Sequence, residues 1–221
     1  EMSASLVGSE MCIRDSYISN LDLLRTVQRA FPRTELDIRH SQGFHPHPII
    51  SIVLPLPVGQ SSDCELLDFE VTQETDGAGI AEKLNGGLPE GLTILDCYEA
   101  RRPVRELTYL QADMELDYDR GVPHGAAQAL TELLRRRELL IEKRTKRKQL
   151  AEVDIAPMIR DISFTQGENV LRAAVTVQAQ NPGLNPQLLE KAIARYLPEL
   201  TPDFVRVRRR ELLDADGQVF R

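Results

Sequence analysis

The chain has 221 residues, 42% of them hydrophobic and 28% charged, with a formal net charge of −7. That composition describes a folded globular protein of one large or two small domains and excludes a disordered chain. Three cysteines are too few for a disulfide framework or a cysteine-ligated iron–sulfur cluster, and no apolar run approaches the ~20 residues a spanning helix needs. The cysteine usage implies a reducing compartment and a cytoplasmic protein, with no membrane partner.

The charge is uneven. Residues 135–148 (RRRELLIEKRTKRK) hold eight basic and two acidic side chains, so the rest of the chain sums to −13. An acidic protein with one basic block is not a general polyanion binder, but it carries one local anion site.

Residues 1–16 show neither a strand nor a helix period, and they lack the basic start and apolar stretch of a signal peptide. The string SLVGSEMCIRDS resembles a translated sequencing-adapter read. Native sequence is therefore expected to start near Tyr17, with residues 1–16 non-native or disordered. From Ser19 the pattern is clear: Ser19 and Asp22 form a capping box, and Leu21, Leu24, Val27 and Phe31 line one helical face up to Pro32. Ile49–Leu54 reads as extended, and Glu65–Val71 alternates as a half-buried strand. A short helix over Gly79–Leu88 and a strand over Leu92–Tyr98 complete the first half.

The second half repeats the order. A strand is predicted at Leu110–Leu116 and a helix opened by Pro123 with Ala126, Ala129, Leu130, Leu133 and Leu134 on one stripe. Strands follow at 139–147 and 170–179, then a helix from Asn185-Pro186 to Leu197 and a strand over Phe204–Arg210. Leu88-Pro89-Glu90 and Leu197-Pro198-Glu199 each follow a helix and precede a strand. The expectation is an α+β protein of two tandem ferredoxin-like (β-α-β-β-α-β) units, residues 17–103 and 104–221. The first strand of the first unit is expected to be missing or replaced.

Three of the four histidines lie in His40-Ser41-Gln42-Gly43-Phe44-His45-Pro46-His47-Pro48. His45 and His47 each precede proline, which favours extended backbone and places the two imidazoles on one side. Three readings stay open: a metal site completed by His40, Asp37 or Cys64; a metal-free acid/base pair acting on RNA through the 2′-hydroxyl; and a rigid, non-catalytic binding loop. The last is preferred, with no catalytic and no metal residue assigned.

The second feature is cationic. Arg135, Arg136 and Arg137 end a helix, where they meet its negative pole. Lys143, Arg144, Lys146, Arg147 and Lys148 lie on both faces of a strand, which makes that strand an edge or a hairpin arm. Together with Arg206 and Arg208 on the last strand they are the nucleic-acid candidates, and convergence of the two groups would favour RNA.

The segments Tyr17–Arg25, His40–Pro48, Leu54–Gly59, Leu88–Leu92 and Glu152–Ile155 resemble the radical SAM-associated domain of unknown function, also called the radical SAM-linked protein family. The resemblance runs from Tyr17 onward and is most specific at His40–Pro48. It departs at Asn20, where many relatives carry His, at Phe31-Pro32, and over residues 1–16. The family implies a bacterial protein that occurs alone or fused behind a radical SAM enzyme with a cobalamin-binding region. The resemblance therefore implies a non-catalytic accessory module with that enzyme as partner, RNA as a further partner, and no cofactor in this chain. The iron–sulfur cluster, SAM and cobalamin would sit on the enzyme. Tandem ferredoxin-like folds also resemble the CRISPR repeat-processing endoribonucleases, which leaves two alternatives: RNA cleavage by His45 and His47, and a metal-binding module.

Overall fold

A computed structural model describes residues 5–13, 18–72, 76–144 and 150–221, with side chains over 18–72, 76–143 and 150–221. The chain is α+β and divides into two compact units, Glu1–Glu106 (with Arg221) and Leu107–Phe220.

The first unit runs β1 (Ser5–Ile13), α1 (Asn20–Ala30), β2 (Ile50–Ile52), β3 (Gln60–Val71), α2 (Gly77–Gly87), β4 (Leu92–Glu99). β1 pairs antiparallel with both β3 and β4, and β2 pairs antiparallel with β3, so the order is β4-β1-β3-β2. Where the first strand was expected to be missing or replaced, Ser5–Ile13 forms a strand in the central slot. A strand between two neighbours is held by backbone hydrogen bonds on both edges, and any proline-free segment can supply them.

Helix α1 starts as its capping box dictates, with the Ser19 side chain accepting from the Asp22 amide. Its buried face shares Val27 and Phe31 with the predicted stripe and is shifted at the start of the helix. Leu23, Val27 and Ala30, at i, i+4 and i+7, face the core, whereas Leu21 is exposed. Leu23, Val27 and Phe31 pack with Leu67, Phe69 and Val71 of β3, Ile80 and Leu84 of α2, and Ile94 of β4. The Phe31 and Phe69 rings meet edge to face with centroids 5.0 Å apart. The outer edge of β4 is closed by a side chain: Asn85 donates to the Ile94 carbonyl and accepts from the Ile94 amide (2.9 and 2.7 Å).

The second unit runs β5 (Tyr109–Asp117), α3 (Ala126–Leu134), β6 (Leu140–Arg144), β7 (Leu150–Asp154), β8 (Ile159–Gln166), β9 (Val170–Gln178), α4 (Leu189–Tyr196), β10 (Phe204–Leu213). Its sheet is antiparallel in the order β10-β5-β9-β8, and β6 and β7 form a separate two-stranded hairpin. Alternation sends Ala112, Met114, Leu116, Leu171, Ala173, Val175, Val205 and Val207 inward, and α3 and α4 bury Leu130, Leu133, Leu189 and Ile193.

Of the predicted strand at 139–147, Leu140–Arg144 forms β6 as one arm of a hairpin, as expected, and residues 145–147 lie outside the described residues. The sheet strand that follows α3 is β8, which sequence reasoning passed over. Of IRDISFTQ only Ile162 is buried, so its hydrophobic alternation is too weak to read. Leu88-Pro89-Glu90 and Leu197-Pro198-Glu199 each lead from a helix into the last strand of their unit.

Candidate functional site

The His40–Pro48 segment is the tip of an arch between α1 and β2. Its first arm extends the edge of β3: Ile38 bridges Val71, the Arg39 amide donates to the Glu70 carbonyl, and the Thr72 amide donates to Asp37. Arg39 also pairs with the Glu70 carboxylate at 2.7 Å. The arms then pair with each other. His40 bridges Pro48, the Ser41 amide donates to the His47 carbonyl, and the Ile49 amide donates to the Arg39 carbonyl (2.9 and 3.0 Å).

Ser41 locks the neck of the arch. Its Oγ accepts the His47 amide at 3.1 Å and lies 2.9 Å from His47 Nδ1. His40 Nδ1 lies 2.8 Å from the Ile38 carbonyl, an acceptor only, so that nitrogen is the donor. Because His40 stands opposite Pro48 and Ser41 opposite His47, His40 and His47 project from opposite faces of the ladder. They do not converge on an ion. Among the described residues no group of three or more His, Cys, Asp or Glu is placed to hold a metal. Cys64 is buried in β3, and burial, with Asp96 beside it, pushes the Cys97 thiol up to about 12, so it does not offer a thiolate.

The tip is open. Gln42 to His47 are exposed, Gly43 takes a φ of +142° that L side chains rarely adopt, and Phe44 is fully exposed at 102%. Holding a phenylalanine in water forgoes about 2 kcal/mol of burial. Pro46 and Pro48 fix their own φ and restrict His45 and His47 before them. The result is a braced loop with an aromatic at its apex.

The cationic candidates lie on two stretches of the chain, 143–148 and β10. Lys143 is exposed on β6, while Lys146, Arg147 and Lys148, and the side chain of Arg144, lie outside the described residues. The base of the β6–β7 hairpin is fixed on α4. The Tyr196 hydroxyl donates to the Leu140 carbonyl and accepts from its amide (3.2 Å each), Arg195 pairs with Glu152 at 2.8 Å, and Lys191 donates to the Glu142 carbonyl. Arg136 lies 5.6 Å from the Tyr196 ring centroid. Arg206 and Arg208 alternate with buried Val205 and Val207, so they project from the sheet face opposite the helices.

Arg206 is also neutralised: it pairs with Glu115 at 3.0 Å and Asp117 at 2.9 Å, and Arg172 reaches the same Glu115. Partial burial pushes the Glu115 carboxyl upward, and the hydrogen bonds and charges of Arg206 and Arg172 outweigh it, holding the group below the usual carboxylate range. Sequence reasoning missed Tyr196 and Glu115. Each acts across more than 50 residues, and neither has a local motif.

The sequence matches the family described as "Uncharacterized protein conserved in bacteria (DUF2344)" over residues 14–186, and the chain belongs to that family. No curated protein matches it. Among solved structures it is similar to one chain of the "Crystal Structure of a Cbf5-Nop10-Gar1 Complex" (11% identity, TM-score 0.48, covering 93% of this chain and 48% of that one). It is similar also to one chain of the "Structure of H/ACA RNP bound to a substrate RNA containing 2'-deoxyuridine" (9%, 0.44, 90% and 46%). A third, an unknown protein from Galdieria sulphuraria, gives 11% identity and a TM-score of 0.27 over 94% of this chain and 99% of that one. The chain spans about half the length of the first two, and likenesses this distant carry no functional argument. No helix among the described residues is long and apolar enough to cross a membrane.

Proposed function

We propose that the chain is a non-catalytic accessory module of a bacterial radical SAM enzyme, built of two ferredoxin-like units and working in the cytoplasm. Two features support the fold reading. Each unit has two helices flanked by strands in β-α-β-β-α-β order, with the β6–β7 hairpin as an insertion, and each antiparallel sheet places the fourth strand beside the first and the third beside the second.

The observation that carries the function is the arch. The Nδ1 atoms of His40 and His47 are taken up in bracing it, and what it offers outward is an aromatic apex rather than a reactive group. A braced, protruding loop with an exposed aromatic suits recognition of a partner, because little ordering remains to be done on binding. The cluster, SAM and cobalamin belong to the enzyme in this reading, since the two described cysteines are buried. The hairpin with the 143–148 cations adds an RNA contact of the backbone-positioning kind.

Co-expression with the radical SAM enzyme of the same genome tests the reading. A stable complex of defined stoichiometry on size-exclusion chromatography is expected, and separate elution at micromolar concentration would reject it. RNA cleavage abolished by a His45→Ala, His47→Ala double substitution would instead support an enzyme.

A further inference from the structure

We infer that Phe44 is the anchor of the partner contact, seated in an apolar pocket on a protein rather than stacked on a nucleobase. This rests on reading the chain as a partner-binding module. The arch brings no net charge to its surroundings: residues 33–59 contain Arg33 and Arg39 against Glu35 and Asp37, and Arg39 is already paired with Glu70. Loops that stack bases hold the strand by its phosphates through cations beside the ring; residues 41–59 contain no Lys or Arg, Arg39 is paired with Glu70, and Arg33 donates to the Gly87 carbonyl. An aromatic presented without phosphate-binding charge fits a partner that pays for nothing but its burial: a concave apolar pocket in a folded protein.

The geometry makes the anchor effective. The neck is closed by His40–Pro48 pairing and by the Ser41–His47 bonds, so Phe44 is held out on a short span from Gln42 to Pro46. The side chain is fully exposed in the free chain, so its transfer into a pocket buries the whole ring. Ile49, on the returning arm, is a second exposed apolar side chain of the arch. The flanking His45 is exposed as well and offers ring nitrogens to the rim of such a pocket.

The chain contains no tryptophan, so Phe44→Trp introduces a single fluorophore at the apex. The full-length chain would be titrated with the cluster-loaded radical SAM enzyme of the same genome, and separately with a single-stranded oligouridine. The expected result is a blue shift of Trp emission on adding the enzyme, near wild-type affinity for Phe44→Trp, and binding weakened by about thirty-fold or more in Phe44→Ala. An unchanged thermal midpoint in Phe44→Ala would exclude misfolding as the cause. Wild-type affinity in Phe44→Ala would overturn the anchor while leaving the module reading intact. Loss of oligouridine binding in Phe44→Ala would overturn it in favour of base stacking. No binding of the enzyme by the wild-type chain would overturn both.

Discussion

The arch over 38–50 and the hairpin over 140–154 leave their units at the same topological point, after the first helix and before the outer strand of the sheet. Their chemistry is opposite. The arch is charge-balanced, tipped by Phe44 and locked through its own Ser41 and His47; the hairpin carries the cations of 143–148 and is held from outside, by Tyr196, Arg195 and Lys191 of α4. The same point after the first helix thus carries two unlike insertions, because the core beneath does not depend on what is inserted there. The arch grips itself and the hairpin grips a helix, so substitutions should separate them.

The largest effect is expected from replacing all five cations of 143–148 with Ser. RNA affinity at low salt should fall by about a hundred-fold or more, and the salt dependence should flatten, by fluorescence anisotropy. Binding of the proposed radical SAM partner should not change. An unaltered salt slope would remove the polyanion role from the hairpin.

Next in size is Tyr196→Phe, which strips both partners from the Leu140 amide and carbonyl. A loss of about 1–2 kcal/mol in urea unfolding is expected, with faster amide exchange confined to β6 and β7. Ser41→Ala should cost less, about 0.5–1 kcal/mol, because the arch neck is exposed to water that can replace the hydroxyl. Its signature is local: faster exchange at the His47 amide while the core stays protected.

The smallest effects fall on Arg206. Arg206→Ala should leave RNA affinity unchanged, whereas Lys143→Ala should lower the salt slope by about one phosphate contact. The carboxylate of Glu115 is held low in the folded state, so its contribution is present above the unfolded value near about 4.3 and disappears as pH falls through the lower folded value. Glu115→Gln should therefore be destabilised relative to wild type at about pH 7, and the difference should shrink as pH falls through the lowered folded value, in denaturant unfolding.

Much of this layout was legible in the sequence where local rules act. The Ser19–Asp22 box placed the start of α1, the Glu65–Val71 alternation fell within β3, and the cations of 143–148 marked an arm rather than a core strand, which β6 is over Leu140–Arg144. What was not legible depends on partners distant in the chain. β1 exists through its pairing on both edges, β8 has almost no buried alternation to betray it, and the arginines of β10 looked free until Glu115 and Asp117 stood across the ladder. The His40–Pro48 stretch was recognisable as a loop of consequence. That His40 and His47 face apart follows only from the pairing of the arms.

The most direct test of the division between the two insertions is the affinity for the proposed radical SAM partner at high salt, where the hairpin is screened. The enzyme should bind the cation-free hairpin variant as tightly as wild type and bind Phe44→Ala at least about thirty-fold more weakly. Equal affinity for Phe44→Ala and wild type, with loss in the hairpin variant, would contradict the account.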